Sequence, residues 1–324
     1  MTAFAANDEA AYQRLVEPHR RELHAHCYRM LGSVQDAEDA LQEALVRAWR
    51  GLDRFEGRSS PRSWLYRIAT NACLDALAKR PGKRELPIDH DPDEAPLVET
   101  VWLEPYPDDP DAAYEQRESV ELAFIAALQH LPANQRAVLI LREVLGFSAK
   151  EVAEMLETTP ASVNSAMQRA RAAVEARTPA QSQQETLRSL GDDEIRELVE
   201  RYVDAWNRGD VDAVVSMLAE EATFSMPPNV EWFRGREAIR DFLPRGPLSI
   251  PRVFVPVHAN GQLAFGTYKL IDGEWLPNAI HVITLGADKQ ITDAVAFLDP
   301  SLFERFGLAT TIARGADRNT WASD

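Results

Sequence analysis

Apolar residues recur at helical spacing over residues 8–80 and again over 116–177. Between residues 40 and 49 they are separated alternately by one and three positions, which places them along one face of a helix. The same spacing predicts a second long helix over 63–79 and further helices over 116–177. A loop is predicted between the first two at 57–61, where glycine, serine and proline cluster. This part of the chain is therefore expected to be all-α.

The pattern changes after residue 191. Apolar positions over 195–206 predict a strongly amphipathic helix, and those over 211–218 predict a shorter one. Strand-like runs follow at 222–226, 252–258, 262–271, 274–285 and 290–298. Asn260-Gly261 and Asp272-Gly273 lie between such runs, and these dipeptides favour the tight turn of a β-hairpin. Helices followed by antiparallel strands predict an α+β domain. The chain is thus expected to be multidomain, with two all-α domains ahead of an α+β domain.

Residues 148–174 have the pattern of a helix-turn-helix. Ser148 and Glu151 can form a capping box at the start of a short helix, and Thr159 followed by Pro160 can begin a second one. The second helix leaves a polar face outward, which is formed by Ser162, Asn164, Ser165, Gln168, Arg169 and Arg171. Such side chains can hydrogen-bond to base edges in a DNA major groove. An ordinary helical hairpin with a solvated face has the same pattern, so the residues alone leave both interpretations open.

A basic segment with interleaved aromatic residues precedes the helix-turn-helix. Residues 58–84 contain seven Lys and Arg against one Asp, and Phe55, Trp64 and Tyr66 lie in or beside this segment. Positive charge can follow a phosphate backbone and aromatic rings can hold unstacked bases, so the segment suits single-stranded or melted DNA. Alternatively, Trp64 and Tyr66 are core residues beneath a solvated basic face.

The net charge of −16 argues against a free-standing DNA-binding protein. Much of the acidic excess lies in residues 85–111, which hold ten acidic residues, six prolines and no Lys or Arg. This composition predicts an extended linker that packs no core. The Pro-, Ser- and Gln-rich stretch 178–191 predicts a second linker.

Export, membrane insertion and metal binding are not expected. The N-terminal residues lack the pattern of a signal peptide, and no apolar run approaches the ~18 residues of a membrane span, which predicts a cytoplasmic protein. The two cysteines form no CxxC pair. His19, His24, His26 and Cys27 are poorly placed on one helix to share a metal ion, so neither a metal nor a cofactor is expected.

The order of these motifs resembles that of bacterial sigma factors of the extracytoplasmic-function (ECF) type. The likeness is carried by residues 36–43 with 47–49, by 64–71 with 74–75, and by 131–142 with 148–171. In that family the three segments dock on the clamp of core RNA polymerase, recognise the −10 element and read the −35 element.

The resemblance implies three sets of site residues. The polymerase-binding set is Asp36, Asp39, Leu41, Gln42, Glu43, Arg47 and Trp49. The −10 set is Arg58, Ser60, Arg62, Trp64, Arg67, Asn71 and Asp75. The −35 set is the six outward residues of the helix-turn-helix. Asn164 and Ala166 stand where many relatives have Lys and Arg, so the sequence of the −35 element is not carried over. Leu45 stands where the family often has Phe, a replacement that keeps an apolar clamp contact.

Residues 192–306 resemble a SnoaL-like domain of the cone-shaped nuclear-transport-factor-2-like superfamily. The likeness is carried by residues 202–210 and 233–239, and the fusion is similar to actinobacterial sigma factors with such an extension. The resemblance implies an α+β cone with a pocket between a curved sheet and helices. The candidate pocket residues are Trp206, Phe224, Trp232, Tyr268 and His281. Aromatic residues of this kind also form a plain core.

These patterns assign sigma region 2 to 8–84, an acidic linker to 85–115, region 4 to 116–177, a second linker to 178–191 and the SnoaL-like domain to 192–310. The expected function is promoter-specific initiation of transcription, with core RNA polymerase and promoter DNA as partners and no enzymatic activity. The C-terminal domain is expected to modulate that activity. A small-molecule ligand in this domain and an anti-sigma factor are further candidate partners. The acidic linker has the charge to occupy a basic channel that otherwise holds RNA phosphates.

Two other classes of function are weighed against this one. A SnoaL-like isomerase or cyclase could carry an N-terminal DNA-binding appendage. A ligand-responsive repressor could use the helix-turn-helix alone, but it would not need the motifs at 36–49 and 64–75. The presence of those motifs favours a sigma factor.

Overall fold

The chain divides into two compact units in a computed structural model that describes residues 9–55, 57, 59–79, 103–108, 121–178, 181–229 and 231–313. The first, here called the helical unit, contains residues 1–89 and 122–179. The second, the C-terminal unit, contains residues 90–121 and 180–324. The chain therefore leaves the helical unit and returns to it before the C-terminal unit is completed.

The described residues of the first half of the helical unit form four α-helices: α1 (Glu9–Val16), α2 (Arg20–Leu31), α3 (Val34–Gly51) and α4 (Pro61–Lys79). Short 3-10 turns at Glu17–His19 and Leu52–Arg54 follow α1 and α3. Gly32 ends α2 with a φ of 74°, and the Ser33 hydroxyl then accepts a hydrogen bond from the Asp36 amide to begin α3. Helices α2, α3 and α4 pack on one another through buried apolar residues such as Leu23, Leu41 and Leu65.

The second half of the helical unit begins with α5 (Leu122–Gln129) and α6 (Ala133–Leu139), which a π-helical turn at Ile140–Val144 extends. Helices α7 (Ala149–Met155) and α8 (Pro160–Glu175) follow as a helix-turn-helix. The capping box of Ser148 and Glu151 is confirmed, as is the Thr159 cap with Pro160 after it. This half packs against α2 and α4 of the first half.

The helices of the C-terminal unit are α9 (Gln183–Arg208), α10 (Val211–Ser216) and α11 (Arg236–Phe242). Helix α9 consists of two segments that meet at Gly191, whose φ of 76° and ψ of 163° are not helical. The first segment lies in the stretch predicted as a linker. It is helical because Ser182 and Glu185 form a capping box and because the Glu121 carboxylate accepts hydrogen bonds from the Gln183 and Gln184 amides.

Seven strands form one mixed sheet in the C-terminal unit. They are β1 (Leu218–Ser225), β2 (Trp232–Arg234), β3 (Arg252–Ala259), β4 (Gln262–Ile271), β5 (Glu274–Leu285), β6 (Ile291–Phe297) and β7 (Ile312–Ala313). The order is β2-β1-β6-β5-β4-β3, and β7 pairs with β5. Strands β1 and β6 run parallel, which the predicted antiparallel meander lacked. Both predicted hairpins are confirmed, with positive φ at Asn260-Gly261 and at Asp272-Gly273.

Residues 103–108 of the predicted acidic linker pack on the C-terminal unit. Tyr106 and Asn260 exchange two hydrogen bonds of 2.8 Å, from the Tyr106 amide to the Asn260 Oδ1 atom and from the Asn260 amide to the Tyr106 carbonyl. Pro107 forms a β-bridge with Ala259, and Asp108 accepts a hydrogen bond from the Gly261 amide. Leu103 is buried. This segment therefore differs from the predicted solvated linker, because backbone groups of the β3–β4 turn and the Asn260 side chain form hydrogen bonds with it.

Candidate functional site

Helix α8 presents the polar face that the sequence predicted. Val163, Ala170 and Val174 are buried and fix the orientation of the helix. All six predicted −35 residues are exposed: Ser162, Asn164, Ser165, Gln168, Arg169 and Arg171. The Arg171 guanidinium forms an ion pair with Glu143. The face therefore has amide, hydroxyl and guanidinium groups at the start and middle of one helix, where groove-reading residues lie.

Most of the predicted −10 residues lie along α4. Ser60 accepts a hydrogen bond from the Ser63 amide and so caps the helix. Trp64 is half-buried against Phe55, with ring centroids 4.9 Å apart, whereas Arg67 is exposed. Asn71 is half-buried and Asp75 is exposed. Arg58 lies outside the described residues.

Arg62 has partners that the sequence did not indicate. Its guanidinium lies 4.6 Å from the centroid of the Phe147 ring and 5.1 Å from that of Tyr66. Its Nη2 atom donates a 3.1 Å hydrogen bond to the Leu145 carbonyl, which lies in the turn before α7. Ser63 donates a longer bond of 3.5 Å to Glu151 of the capping box. The start of α4 is thus covered by the helix-turn-helix half of the same unit.

The predicted polymerase-binding residues divide between the surface and the core. Asp39, Gln42 and Glu43 are exposed on α3, whereas Asp36, Arg47 and Trp49 are half-buried. Leu41 is only 1% exposed and packs inside the helical unit. The structure therefore corrects the prediction for Leu41, which supports the helix from its inner side and offers no contact surface.

Glu43, Arg47 and Asp75 form one cluster between α3 and α4. Arg47 donates to Glu43 at 2.8 Å and to Asp75 at 2.7 Å. These hydrogen bonds raise the pKa of the Arg47 guanidinium above its ordinary value. The cluster lines a groove of about 340 Å³ together with Asp36 and Asp39. Asp75, predicted for the −10 element, therefore belongs to the same groove as the predicted polymerase-binding residues.

Val46 is a surface residue that the sequence did not single out. It is 42% exposed, whereas most apolar residues of α3 are buried. It lies three or four residues from Gln42 and Glu43, so the three side chains share one face of the helix. The exposed face of α3 therefore contains one apolar side chain beside an amide and a carboxylate.

A buried arginine connects the two halves of the helical unit. Arg136 is 3% exposed and donates hydrogen bonds to the carbonyls of Met30, Gln129 and Leu131, and to the Gln129 side chain. Gln129 in turn donates to the Arg29 carbonyl. The last carbonyl groups of α2 have no hydrogen-bond donor within the helix and carry partial negative charge. The Arg136 guanidinium provides both a donor and a positive charge at this helix end. Its position within residues 131–142 gave no sequence signal for this contact.

Three of the five candidate pocket residues line one cavity in the C-terminal unit. The cavity measures about 360 Å³, and Trp206, Phe224 and His281 are among its lining residues. Trp232 on β2 and Tyr268 on β4 do not line it, which differs from the prediction. The Tyr268 hydroxyl instead donates to the Ala309 carbonyl, and its ring packs edge-on against Phe303.

Asp293 and Asp299 do not line this cavity, whose charged and titratable lining residues are Glu231, Arg245, Arg252 and His281. Asp293 accepts a hydrogen bond from Thr223, and Asp299 caps the 3-10 helix Pro300–Phe306. His281 accepts or donates a 2.9 Å hydrogen bond at Nε2 with the Tyr202 hydroxyl. Burial, with Arg252 nearby, lowers the pKa of His281 to about 3, so the ring is neutral at pH 7.

The part of the chain that the structure describes contains no group of three or more His, Cys, Asp and Glu that could hold a metal ion. His26 is instead buried, with its Nε2 atom 2.9 Å from the Thr70 hydroxyl. Among the described helices, none combines the length and the apolar character that a membrane crossing requires.

Comparison with protein families divides the chain in three. Residues 15–81 match sigma-70 region 2, residues 121–174 match sigma-70 region 4, and residues 199–294 match the SnoaL-like domain. The ECF RNA polymerase sigma factor SigG of Mycobacterium tuberculosis is 43% identical over 312 residues, which cover 91% of this chain and 83% of the relative. The chain belongs to the ECF RNA polymerase sigma factor family. Its function is accordingly that of a sigma factor.

A second relative of this sigma factor supports the whole architecture. The ECF sigma factor SigJ of Mycobacterium tuberculosis is 31% identical over 237 residues, which cover 69% of each chain. The crystal structure of SigJ matches this sigma factor with a TM-score of 0.58 and 25% identity, over 91% of this chain and 98% of that one. The fold class, two helical regions followed by a SnoaL-like α+β domain, is confirmed.

Proposed function

We propose that the chain binds core RNA polymerase through α3 and reads promoter DNA through α4 and α8. The observation that carries this proposal is the order and exposure of the three surfaces within a chain of the ECF sigma factor family. The docking surface on α3 consists of Asp39, Gln42, Glu43 and Val46. Its centre is apolar and its rim is charged, which suits a protein partner.

The −35 element is read by the exposed face of α8. Asn164 and Gln168 have amides that can pair bidentately with adenine, and Arg169 has a guanidinium that can pair with guanine. Each such pair discriminates against the wrong base by about 1–3 kcal/mol. The face is short of lysine, so anchoring to phosphate is weak and the polymerase supplies much of the affinity.

The −10 element is read by the start of α4 and its basic surroundings. Arg67 is exposed for phosphate contact, and Trp64 is half-buried with one part of its ring accessible. Aromatic and basic groups in this arrangement suit the unpaired strand of melted DNA. Arg62 belongs to this surface, although in the packed helical unit its guanidinium lies over the Phe147 ring and donates a hydrogen bond to the Leu145 carbonyl.

Reading both elements requires the two halves of the helical unit to separate. The −10 and −35 elements are about 25 base pairs apart, which is roughly 85 Å at 3.4 Å per base pair. Helices α4 and α8 are parts of one compact unit in the structure, and α4 contacts α6 and α7 directly. We infer that the packed unit is the form before DNA binding and that the promoter complex is an open form.

The C-terminal unit modulates initiation and carries no catalytic site of its own. Asp293 and Asp299 are engaged in structural hydrogen bonds and do not line the cavity, and the hydrogen bond of neutral His281 joins it to the Tyr202 hydroxyl, not to a carboxylate. A modulatory role is supported by the contact of this unit with residues 103–108, which lie between the −10 and −35 regions in the sequence.

The test is transcription in vitro with the full chain and core RNA polymerase from the source organism, on a genomic promoter library read by sequencing. Promoter-specific transcripts are expected only when the chain is present. Gln168→Ala on α8 should change the −35 preference of the selected promoters, whereas the matched change Glu175→Ala, at the far end of the same helix, should not.

Two outcomes would overturn the proposal. No specific transcripts, together with no binding to core polymerase, would remove the sigma function. Tight binding to a palindromic duplex without polymerase would instead indicate a repressor, and turnover of a small substrate would indicate an enzyme with a DNA-binding appendage.

A further inference from the structure

The cavity of the C-terminal unit is lined by two arginines, Arg245 and Arg252, and by one carboxylate, Glu231, so its charged lining has a net charge of +1. Arg252, at the start of β3, lines the cavity and is partly buried. Its Nε atom donates to the Pro247 carbonyl, and none of the described carboxylates forms an ion pair with it. Burial lowers the pKa of the Arg252 guanidinium, and no neighbouring acid offsets that effect. An uncompensated cation in a cavity is costly, which points to an anion that comes from solution.

Aromatic side chains form one part of the cavity wall. The Trp206 ring stacks on Phe254 with a centroid distance of 4.7 Å and an interplanar angle of 22°, and Phe224 lies 6.3 Å away at 29°. Phe242 closes another side, 5.9 Å from Phe224. Trp206, Phe224 and Phe254 are only 1%, 2% and 4% exposed, so they form a buried apolar wall, and the volume of about 360 Å³ is within the range of small-molecule sites.

Neutral polar side chains add to the lining. His281 is held by the Tyr202 hydroxyl and carries no charge at neutral pH, so it adds no cation to the two arginines. The Asn278 Nδ2 atom donates to the Thr267 hydroxyl at 3.3 Å, and that hydroxyl donates to the Ala279 carbonyl at 3.2 Å. This chain of donors fixes the Asn278 amide and leaves its Oδ1 atom as an acceptor.

We propose that this cavity binds a small organic carboxylate with a flat, apolar ring system. Arg252 holds the carboxylate, the rings of Trp206 and Phe254 hold the ring system, and Asn278 accepts a hydrogen bond from a hydroxyl or amine on it. This site lies outside the promoter- and polymerase-binding surfaces, so it gives the sigma factor a receptor for an aromatic acid.

The experiment measures binding of two probes to the full chain by isothermal titration calorimetry at pH 7. The probes are 2-naphthoate and its neutral counterpart 2-naphthamide, which differ in charge but hardly in shape. The wild-type chain should bind 2-naphthoate at least tenfold more tightly than 2-naphthamide. Arg252→Gln should reduce this ratio to about one, whereas the exposed control Arg234→Gln, which removes the same charge outside the cavity, should preserve it.

A second variant keeps the test independent of how Arg252→Gln folds. Ala296→Leu extends the side chain of a buried lining residue of β6 into the cavity and should abolish binding of both probes. Equal affinity of the wild-type chain for the two probes, or no binding of either, would overturn the proposal. Tight 2-naphthoate binding that survives both Arg252→Gln and Ala296→Leu would place the ligand elsewhere and overturn it equally.

Discussion

The contacts of Arg62 with Phe147 and Leu145 join the two halves of the helical unit, so we expect their loss to raise the ratio of open to packed form. Arg62→Gln removes the guanidinium from the Phe147 ring and from the Leu145 carbonyl, but it leaves both halves of the unit otherwise intact. Because these contacts exist only in the packed form, the substitution should favour the open form. Arg67→Gln removes the same charge from an exposed position on the same helix and should have no such effect.

The magnitude follows from the two contacts. A cation over an aromatic ring contributes about 0.5–1 kcal/mol at an exposed site, and the Arg62 side chain is 37% exposed. Its hydrogen bond to the Leu145 carbonyl adds about 0.5–1.5 kcal/mol after allowance for that exposure. The sum of about 1–2.5 kcal/mol corresponds to a shift of about 5- to 60-fold in the ratio of open to packed form.

Energy transfer between two dyes on the full chain measures this ratio. Ala78→Cys on α4 and Ala172→Cys on α8 place both dyes at exposed alanines. The native Cys27 and Cys73 are 0% exposed and should not react. Arg62→Gln should enlarge the low-transfer population by the calculated factor, and added core polymerase with promoter DNA should convert all molecules to it. Equal populations for Arg62→Gln and Arg67→Gln would refute the reasoning.

Three further predictions concern pH, DNA and the docked linker. His26 in the helical unit and His281 in the C-terminal unit both have a pKa lowered to about 3 by burial, so between pH 6.5 and 3 the unfolded state of each unit binds more protons and stability falls with falling pH, by about 1.4 kcal/mol per pH unit from each histidine; chemical denaturation at several pH values measures these slopes, and His281→Gln should reduce the slope of the C-terminal unit and leave that of the helical unit unchanged. Asn164→Ala should reduce transcription from promoters selected by the wild-type chain by about 5- to 100-fold, the loss of one bidentate base contact, and leave core-polymerase affinity unchanged in a binding titration. Asn260→Gly keeps a residue that tolerates the positive φ but removes the acceptor for the Tyr106 amide, so hydrogen exchange at that amide should accelerate at least tenfold, and an unchanged rate would contradict the proposed contact.

The regular elements were predictable because their signals are local. Ser148 and Glu151 are three residues apart and form their capping box within one helical turn. The hairpin at Asn260-Gly261 follows equally from two residues that tolerate positive φ. The outward face of α8 follows from the spacing of Val163, Ala170 and Val174 alone.

The contacts that position the sites were not predictable because they join residues far apart in sequence. Arg62 and Leu145 are separated by 83 residues, and Arg136 and Met30 by 106. Leu41 belongs to the segment that resembles a polymerase-docking helix, yet it is buried. Helical periodicity shows which residues share a face of the helix, but it does not show which apolar residues neighbouring helices cover. Tyr268 does not line the cavity because its side chain packs on Phe303, whereas its neighbour Thr267, on the alternate face of the same strand, does line it.

The hydrogen bond between Asp108 and Gly261 also has a consequence for the order of events on the ribosome. The two residues are separated by 153 positions, so one partner emerges long before the other exists. At a synthesis rate of about 5–20 residues per second, the interval is roughly 8–30 s. During that time residues 122–178 are completed and can fold on α2 and α4, while residues 103–108 have no hairpin to pair with. Each newly made molecule therefore passes through a stage in which helices α4 and α8 are complete and residues 103–108 still lack their hydrogen-bond partners in the β3–β4 hairpin.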